Sequence, residues 1–169
     1  MKFSRDLDSN WIIKNDIPHY GLKEHASVDT DNGFILSTLL TPASHNDSPY
    51  LPYAVSYSMH TADKIIKAYA DKGYTGKPNR EFLSINKIQD GIMRKNTTTT
   101  TLTEFEIDRN KSISKLRYIV EQYFGISSLH DGAGRARFPK IMKNTIDVMF
   151  RQFAYNSKKG VKILRLNPV

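Results

Sequence analysis

Apolar and polar positions alternate in the first part of the chain and recur at helical spacing in its last part. Over residues 19–28, Tyr20, Leu22, Glu24, Ala26 and Val28 share one parity and His19, Lys23 and His25 the other, which predicts a half-buried strand. Asp31-Asn32-Gly33 is a tight-turn signal, and the apolar run over 33–41 predicts the return strand of a hairpin. A loop rich in Ser, Asn and Asp over 42–49 leads into a short helix expected over 50–60. The run KIIKAYA at 64–70 reads as a compact strand ending at Asp71, followed by a helical turn over 79–84 and a short strand over 87–93. The five-threonine tract 97–101 reads as an irregular connection. A long helix is expected from Thr103 or Glu104 to about Leu129, with Ile113, Leu116, Val120, Tyr123 and Phe124 as its apolar stripe. A last helix over 140–156 is expected to set Ile141, Thr145, Val148, Met149 and Phe153 on one face. Residues 1–17 read as an irregular lead around Trp11-Ile12-Ile13, and 159–169 as a basic tail. The segment 18–158 between them reads as one α/β domain with a sheet of mixed direction.

Composition narrows the chemistry. The chain has no cysteine, which excludes disulfides, thiolate zinc sites and a catalytic thiol, and fits a reducing cytoplasm. No run approaches the ~20 apolar residues of a membrane span. Lys2, Arg5, Asp6 and Asp8, with no long apolar region behind them, do not read as a signal peptide. The net charge of +8 is unevenly spread: residues 1–60 carry −3 and residues 61–169 carry +11. Within 109–165, thirteen Lys and Arg face only Glu121, Asp131 and Asp147. A one-sided basic surface attracts polyanions, nucleic acid first among them, although the same charge also serves plain solubility.

Several reaction classes lack their residues. There is no G-x-S-x-G elbow, no G-x-x-x-x-G-K loop and no G-x-G-x-x-G loop. His19 and His25 fall short of the three or four ligands that a zinc site needs. Carboxylates are left. Asp71 follows an apolar strand and precedes Gly73, where the chain turns and a side chain can project into a cleft. Glu121 lies in a basic helix with Arg117 one turn before it. Taken singly, the first reads as a turn-initiating residue and the second as half of a helix ion pair.

Taken in order, the surrounding words say more. HYGLKEHASVD at 19–29, TPASHNDS at 41–48, YADKGY at 69–74, DGIMRK at 90–95 and LRYIVEQYFG at 116–125 together resemble the DDE transposases of bacterial insertion sequences. The likeness is to the large group built around insertion sequences four and five, and it covers roughly residues 8–158. It implies a ribonuclease H-like fold, a five-stranded mixed sheet flanked by helices, and the cutting and joining of DNA at insertion-sequence ends. By this likeness Asp71 matches the second catalytic carboxylate, at the end of the fourth strand, and Glu121 the third, on the long helix. Both would then be metal ligands, with Mg²⁺ or Mn²⁺ as cofactor. Arg117 matches an arginine that helps to hold DNA phosphate.

The chain also departs from the family. Ser114 and Ser128 stand where the family has tyrosine and lysine on that helix. The first catalytic aspartate of the family lies on a strand upstream of the segment that begins here near Trp11. Asp8 looks like an acid of the following linker, and Asp29 falls at a position the family does not use for catalysis. The resemblance therefore implies a carboxyl-terminal part, incomplete at its N-terminus: a truncated copy or a second reading frame with a defective catalytic set and weak metal binding. The implied partners are double-stranded DNA and a transposase subunit or upstream reading-frame product, with no membrane. The alternative is a non-catalytic DNA-binding remnant, or an inhibitor of a full-length transposase. Besides Arg117, the residues expected to line a phosphate-contacting face are Arg109, Lys111, Lys115, Arg135, Arg137, Lys140 and Lys143.

Overall fold

A computed structural model describes residues 6–166 and shows a mixed α/β architecture. Residues 1–5 of the expected lead and 167–169 of the expected tail lie outside the described residues. Asn15 and Asp16 both take left-handed backbone conformations, with φ of 51° and 62°. Two such residues in succession make the tight turn whose twist matches a β-hairpin. They join β1 (Asn10–Lys14) to β2 (Ile17–Val28), with Lys14 opposite Ile17 and Asn10 opposite Gly21. Residues 10–14 are thus a strand rather than part of an irregular lead. Their apolar residues come as a block instead of alternating, which hides the strand period. The second hairpin behaves as expected. Asp29 accepts from the N–H groups of Asp31 and Asn32, Gly33 takes a φ of 73°, and β2 passes into β3 (Ile35–Pro42). The two strands pair antiparallel from Leu22–Pro42 to Val28–Ile35.

A βαβ unit forms the second half of the core. After a 3₁₀ turn at Ser48–Tyr50, helix α1 (Leu51–Ser58) leads to β4 (Lys67–Ala70). Helix α2 (Lys77–Ile85) then crosses to β5 (Gln89–Ile92), which pairs parallel to β4. Leu51, Val55, Ala70, Leu83, Ile88 and Ile92 form one buried cluster beneath this pair. The strands are shorter than expected, and the helical turn grows into a nine-residue helix.

The expected single mixed sheet is observed as two, β1-β2-β3 and β4-β5, among the described residues. From Leu22 to Val28, β2 pairs only with β3 among the described residues. A cavity of about 1180 Å³ separates it from β4, lined by residues 23–28 on one side and 65–70 on the other. Leu116, Ile119 and Val120 also border it.

Helix α3 (Glu104–His130) opens on a capping box. Thr103 accepts from the Glu106 N–H, and the Glu106 carboxylate accepts from the Thr103 N–H. Its stripe buries Ile113 and Tyr123 as expected. Tyr123 joins Ile35 and Tyr155 in a second buried cluster. Helix α4 (Ile141–Leu166) runs ten residues past its expected end, so 159–166 are helical and not a tail. Its faces also differ from expectation. Val148 points inward, while Met149 and Phe153 are exposed. Polar groups fix α4 to the sheet instead. The Ile35 N–H donates to Asn156 Oδ1 at 2.8 Å, Asn156 Nδ2 donates to the Ile35 carbonyl at 2.9 Å, and Thr38 donates to Gln152.

Candidate active site

Asp71 stands where β4 ends, in extended backbone (φ −78°, ψ −179°), and its Oδ1 accepts from the Gly73 N–H at 2.7 Å. That bond closes the 3₁₀ turn Lys72–Tyr74 and leaves Oδ2 turned outward. Glu121 sits in the middle of α3, which packs across β4 and β2. Arg117, one turn earlier, places Nη2 3.8 Å from Asp71 Oδ2 and 3.7 Å from Glu121 Oε1. Two carboxylates fifty positions apart in sequence therefore meet at a single guanidinium.

Sequence reasoning missed a third acid beside them. A Cβ at Gly73 would lie 3.0 Å from both Asp47 Oδ2 and Asp71 Oδ1, so the glycine lets the two carboxylates approach the turn. Lys23 pairs with Asp47 at 2.7 Å. Asp47 lies in the 41–48 word, where no local pattern marks it as a partner of Asp71. Behind this group His25 is buried, its Nδ1 2.8 Å from the Tyr74 hydroxyl and its Nε2 3.1 Å from Thr41 Oγ1. Burial pushes the His25 pKa down and that of Tyr74 up.

Two carboxylates turned toward one cationic group fit a hard divalent ion in kind, because Mg²⁺ takes one or two protein carboxylates together with water and substrate phosphates. Among the described residues, no group of three or more His, Cys, Asp or Glu is placed to hold a metal ion.

The basic residues divide. Arg109 donates from Nη1 to the Ile92 carbonyl and from Nη2 to the Asp90 carbonyl, both at 2.8 Å, which ties α3 to β5. Arg137 donates to the Asp131 carbonyl at 2.6 Å and pairs with Asp147. Lys111, Lys115, Arg135, Lys140 and Lys143 are exposed. Lys111 pairs with Asp108 on its own helix. At 100° per residue, Lys111 and Lys115 share one side of α3 while Arg117 and Glu121 look away from it. No helix among the described residues is long and apolar enough to cross a membrane.

Residues 3–157 match the family described as "Transposase DDE domain". The transposase for insertion sequence element IS1106 of Neisseria meningitidis serogroup B is 39% identical over 161 residues, covering 95% of this chain and 54% of that relative. The chain thus spans about half of that relative's length. No solved structure matches. The family match runs through Asp71, Arg117 and Glu121 and covers most of the fold, and the chain belongs to the DDE-domain transposases of insertion sequences.

Proposed function

We propose that this chain contributes part of the metal-dependent site of a DDE transposase, acting on double-stranded DNA at insertion-sequence ends. The observation that supports the reading is the meeting of Asp71 and Glu121 at Arg117. Asp71 and Glu121 are the carboxylates that would hold Mg²⁺ or Mn²⁺. When bound, such ions stabilise the charge that develops during in-line attack on a phosphodiester. The Gly73 N–H holds Oδ1 of Asp71, so that Oδ2, which faces Arg117, is the oxygen offered for this task. Arg117 stands between the two acids, where a bound ion would displace it, and its N–H groups suit a DNA phosphate. Exposed Lys111, Lys115, Arg135, Lys140 and Lys143 add phosphate contacts along the flanks, with little reading of bases.

A third acid belongs, in this reading, on an extended segment seated in the cavity between β2 and β4. The open edge of β2 offers unpaired backbone groups of the kind that β-strand addition uses. A transposase subunit or an upstream reading-frame product would supply it and complete a ribonuclease H-like sheet. The exposed basic residues also fit a second reading, a DNA-binding remnant that inhibits a full-length transposase.

Titration with Mn²⁺, followed by electron paramagnetic resonance, separates these readings when combined with duplex binding. We expect weak Mn²⁺ binding by the chain, reduced severalfold in Asp71→Asn and in Glu121→Gln. Duplex affinity should fall steeply between ~50 and ~200 mM salt as counterions are released. Unchanged Mn²⁺ binding in both variants, with salt-sensitive DNA binding intact, would leave only the inhibitor reading.

A further inference from the structure

The segments that follow β4 and β5 frame a second cleft, of about 600 Å³, apart from Asp71, Arg117 and Glu121. Lys77 and Arg80 of α2 line one side, Arg94 and Lys95 another, and three threonines of the 97–101 tract close it. Charge there is out of balance. Asp90 is the shared acid of Arg80, Arg94 and Arg109, at 3.7, 3.0 and 3.7 Å, so one carboxylate faces three guanidinium groups. Arg109 is also held by two backbone carbonyls, which leaves Arg80 and Arg94, both in the cleft wall, with charge to spare. Arg94 Nη1 is buried and makes no hydrogen bond among the described residues, a donor in want of an acceptor. Lys77 pairs with Glu81 at 3.6 Å, a solvated contact that water screens. The one acid in the wall among the described residues, Glu106, is spent on the Thr103 N–H and hydroxyl. Gly76 stands at the N-cap of α2 without a side chain, and the first turn holds no acid, so the positive end of that helix adds to the field.

We propose that this cleft takes backbone phosphates of duplex DNA next to the phosphodiester that reacts at Asp71. The inference rests on the reading of the chain as acting on double-stranded DNA. Asp71 follows β4, and Arg94 stands two residues past the end of β5, the parallel neighbour ~4.8 Å away. Successive phosphates of one strand advance ~3.4 Å along the duplex axis, so a strand crossing Asp71 reaches the cleft within a few nucleotides. A phosphate there meets the fork of Arg94, the ammonium of Lys95 and the hydroxyls of the threonine tract, all of them donors. Among the described residues the wall contains no aromatic, Asn or Gln side chain, so it holds backbone and neither stacks nor reads bases. The threonine tract, an irregular connection by its sequence, thereby gains a task.

Fluorescence anisotropy with two duplexes of unrelated sequence, in EDTA so that no metal contributes, tests the assignment on the full chain. Both duplexes should bind alike. Lys95→Gln should weaken binding about threefold or more and lower the salt slope by about one, as loss of one phosphate contact requires. Arg94→Gln combined with Lys95→Gln should weaken it about tenfold or more. Lys87→Gln removes the same charge from an exposed position before the amino end of β5 and should leave affinity within about twofold of wild type. Arg94 also pairs with Asp90, so circular dichroism and melting confirm the fold of the double variant, while the exposed Lys95→Gln carries the test alone. Undiminished binding by Lys95→Gln, or equal losses in Lys95→Gln and Lys87→Gln, overturns the cleft and leaves the DNA reading standing. No duplex binding by wild type at ~50 mM salt overturns both. A preference for one duplex that Lys95→Gln abolishes overturns the assignment to backbone alone.

Discussion

His25 lies behind the candidate site, within the field of Asp47, Asp71 and Lys23, and burial outweighs the two acids in setting its charge. Its pKa is held below the ordinary 6.5, so the folded chain keeps the ring neutral while an unfolded chain protonates it below that value. The unfolded state then binds more protons, and stability falls as the pH drops through about 6.5 and below. We expect chemical denaturation between pH 7.5 and 5.5 to show this loss, and His25→Gln to flatten it. Equal slopes in both proteins would show that His25 does not carry the effect. At Arg117 the question is one of competition. The guanidinium stands between the acids assigned to the metal, and an exposed or half-exposed ion pair is worth about 0.2–1 kcal/mol. Arg117→Gln should therefore tighten Mn²⁺ binding by about two- to fivefold while weakening duplex binding. Weaker Mn²⁺ binding in this variant would assign Arg117 the opposite part, that of positioning the acids.

At the scale of elements, asparagine holds the long helices in place. Asn110 accepts from the Arg94 N–H and donates to the Arg94 carbonyl, joining α3 to the segment after β5. Asn144 does the same to Phe138, and Asn156 to Ile35. Each carboxamide replaces the peptide partner that the backbone would otherwise lack. Asn156→Leu would leave the buried Ile35 N–H without its acceptor, while Gln152 Nε2 still donates to the Ile35 carbonyl. One unsatisfied buried donor costs about 1–3 kcal/mol, and urea denaturation should show a loss in that range. A loss below about 0.5 kcal/mol would mean that water replaces the side chain. These clamps explain what was legible in the sequence and what was not. The α3 stripe followed from Ile113 and Tyr123 because that helix buries apolar residues in the ordinary way. The facing of α4 did not, because Met149 and Phe153 were assigned inward by a rule that its Asn- and Gln-rich inner face reverses. Strand β1 was hidden by Asn15-Asp16, a turn pair without glycine. Asp71 and Glu121 could be named from their words, but their meeting depends on how α3 crosses β4, which no local pattern encodes.

At the scale of the whole molecule, two sheets that do not pair among the described residues leave an open cleft of about 1180 Å³ between them. An open sheet edge is a template for another strand, and native proteins cover, charge or shorten such edges. Among the described residues the edge of β2 from Leu22 to Val28 is neither short nor paired, and Ile119, Val120 and Phe124 of α3 border the space beside it. An occupant that gains backbone hydrogen bonds from β2 and apolar contact from α3 is an extended segment with alternating apolar residues. The IS1106 transposase has nearly half of its length outside the match, and overlapping peptides from that portion are the natural probes. One of them should protect the β2 amides from hydrogen exchange and raise the melting temperature in a concentration-dependent way, since binding only to the folded state stabilises by mass action. At one hundred times its dissociation constant the gain is about 2.7 kcal/mol, well within reach of calorimetry. If the same peptide carries an acid near Asp71, Mn²⁺ binding should strengthen with it, and should weaken again when that acid is replaced by its amide. Peptides that raise stability without protecting β2 would place the occupant elsewhere. A complete set with no effect on exchange, stability or Mn²⁺ would remove the strand-addition reading.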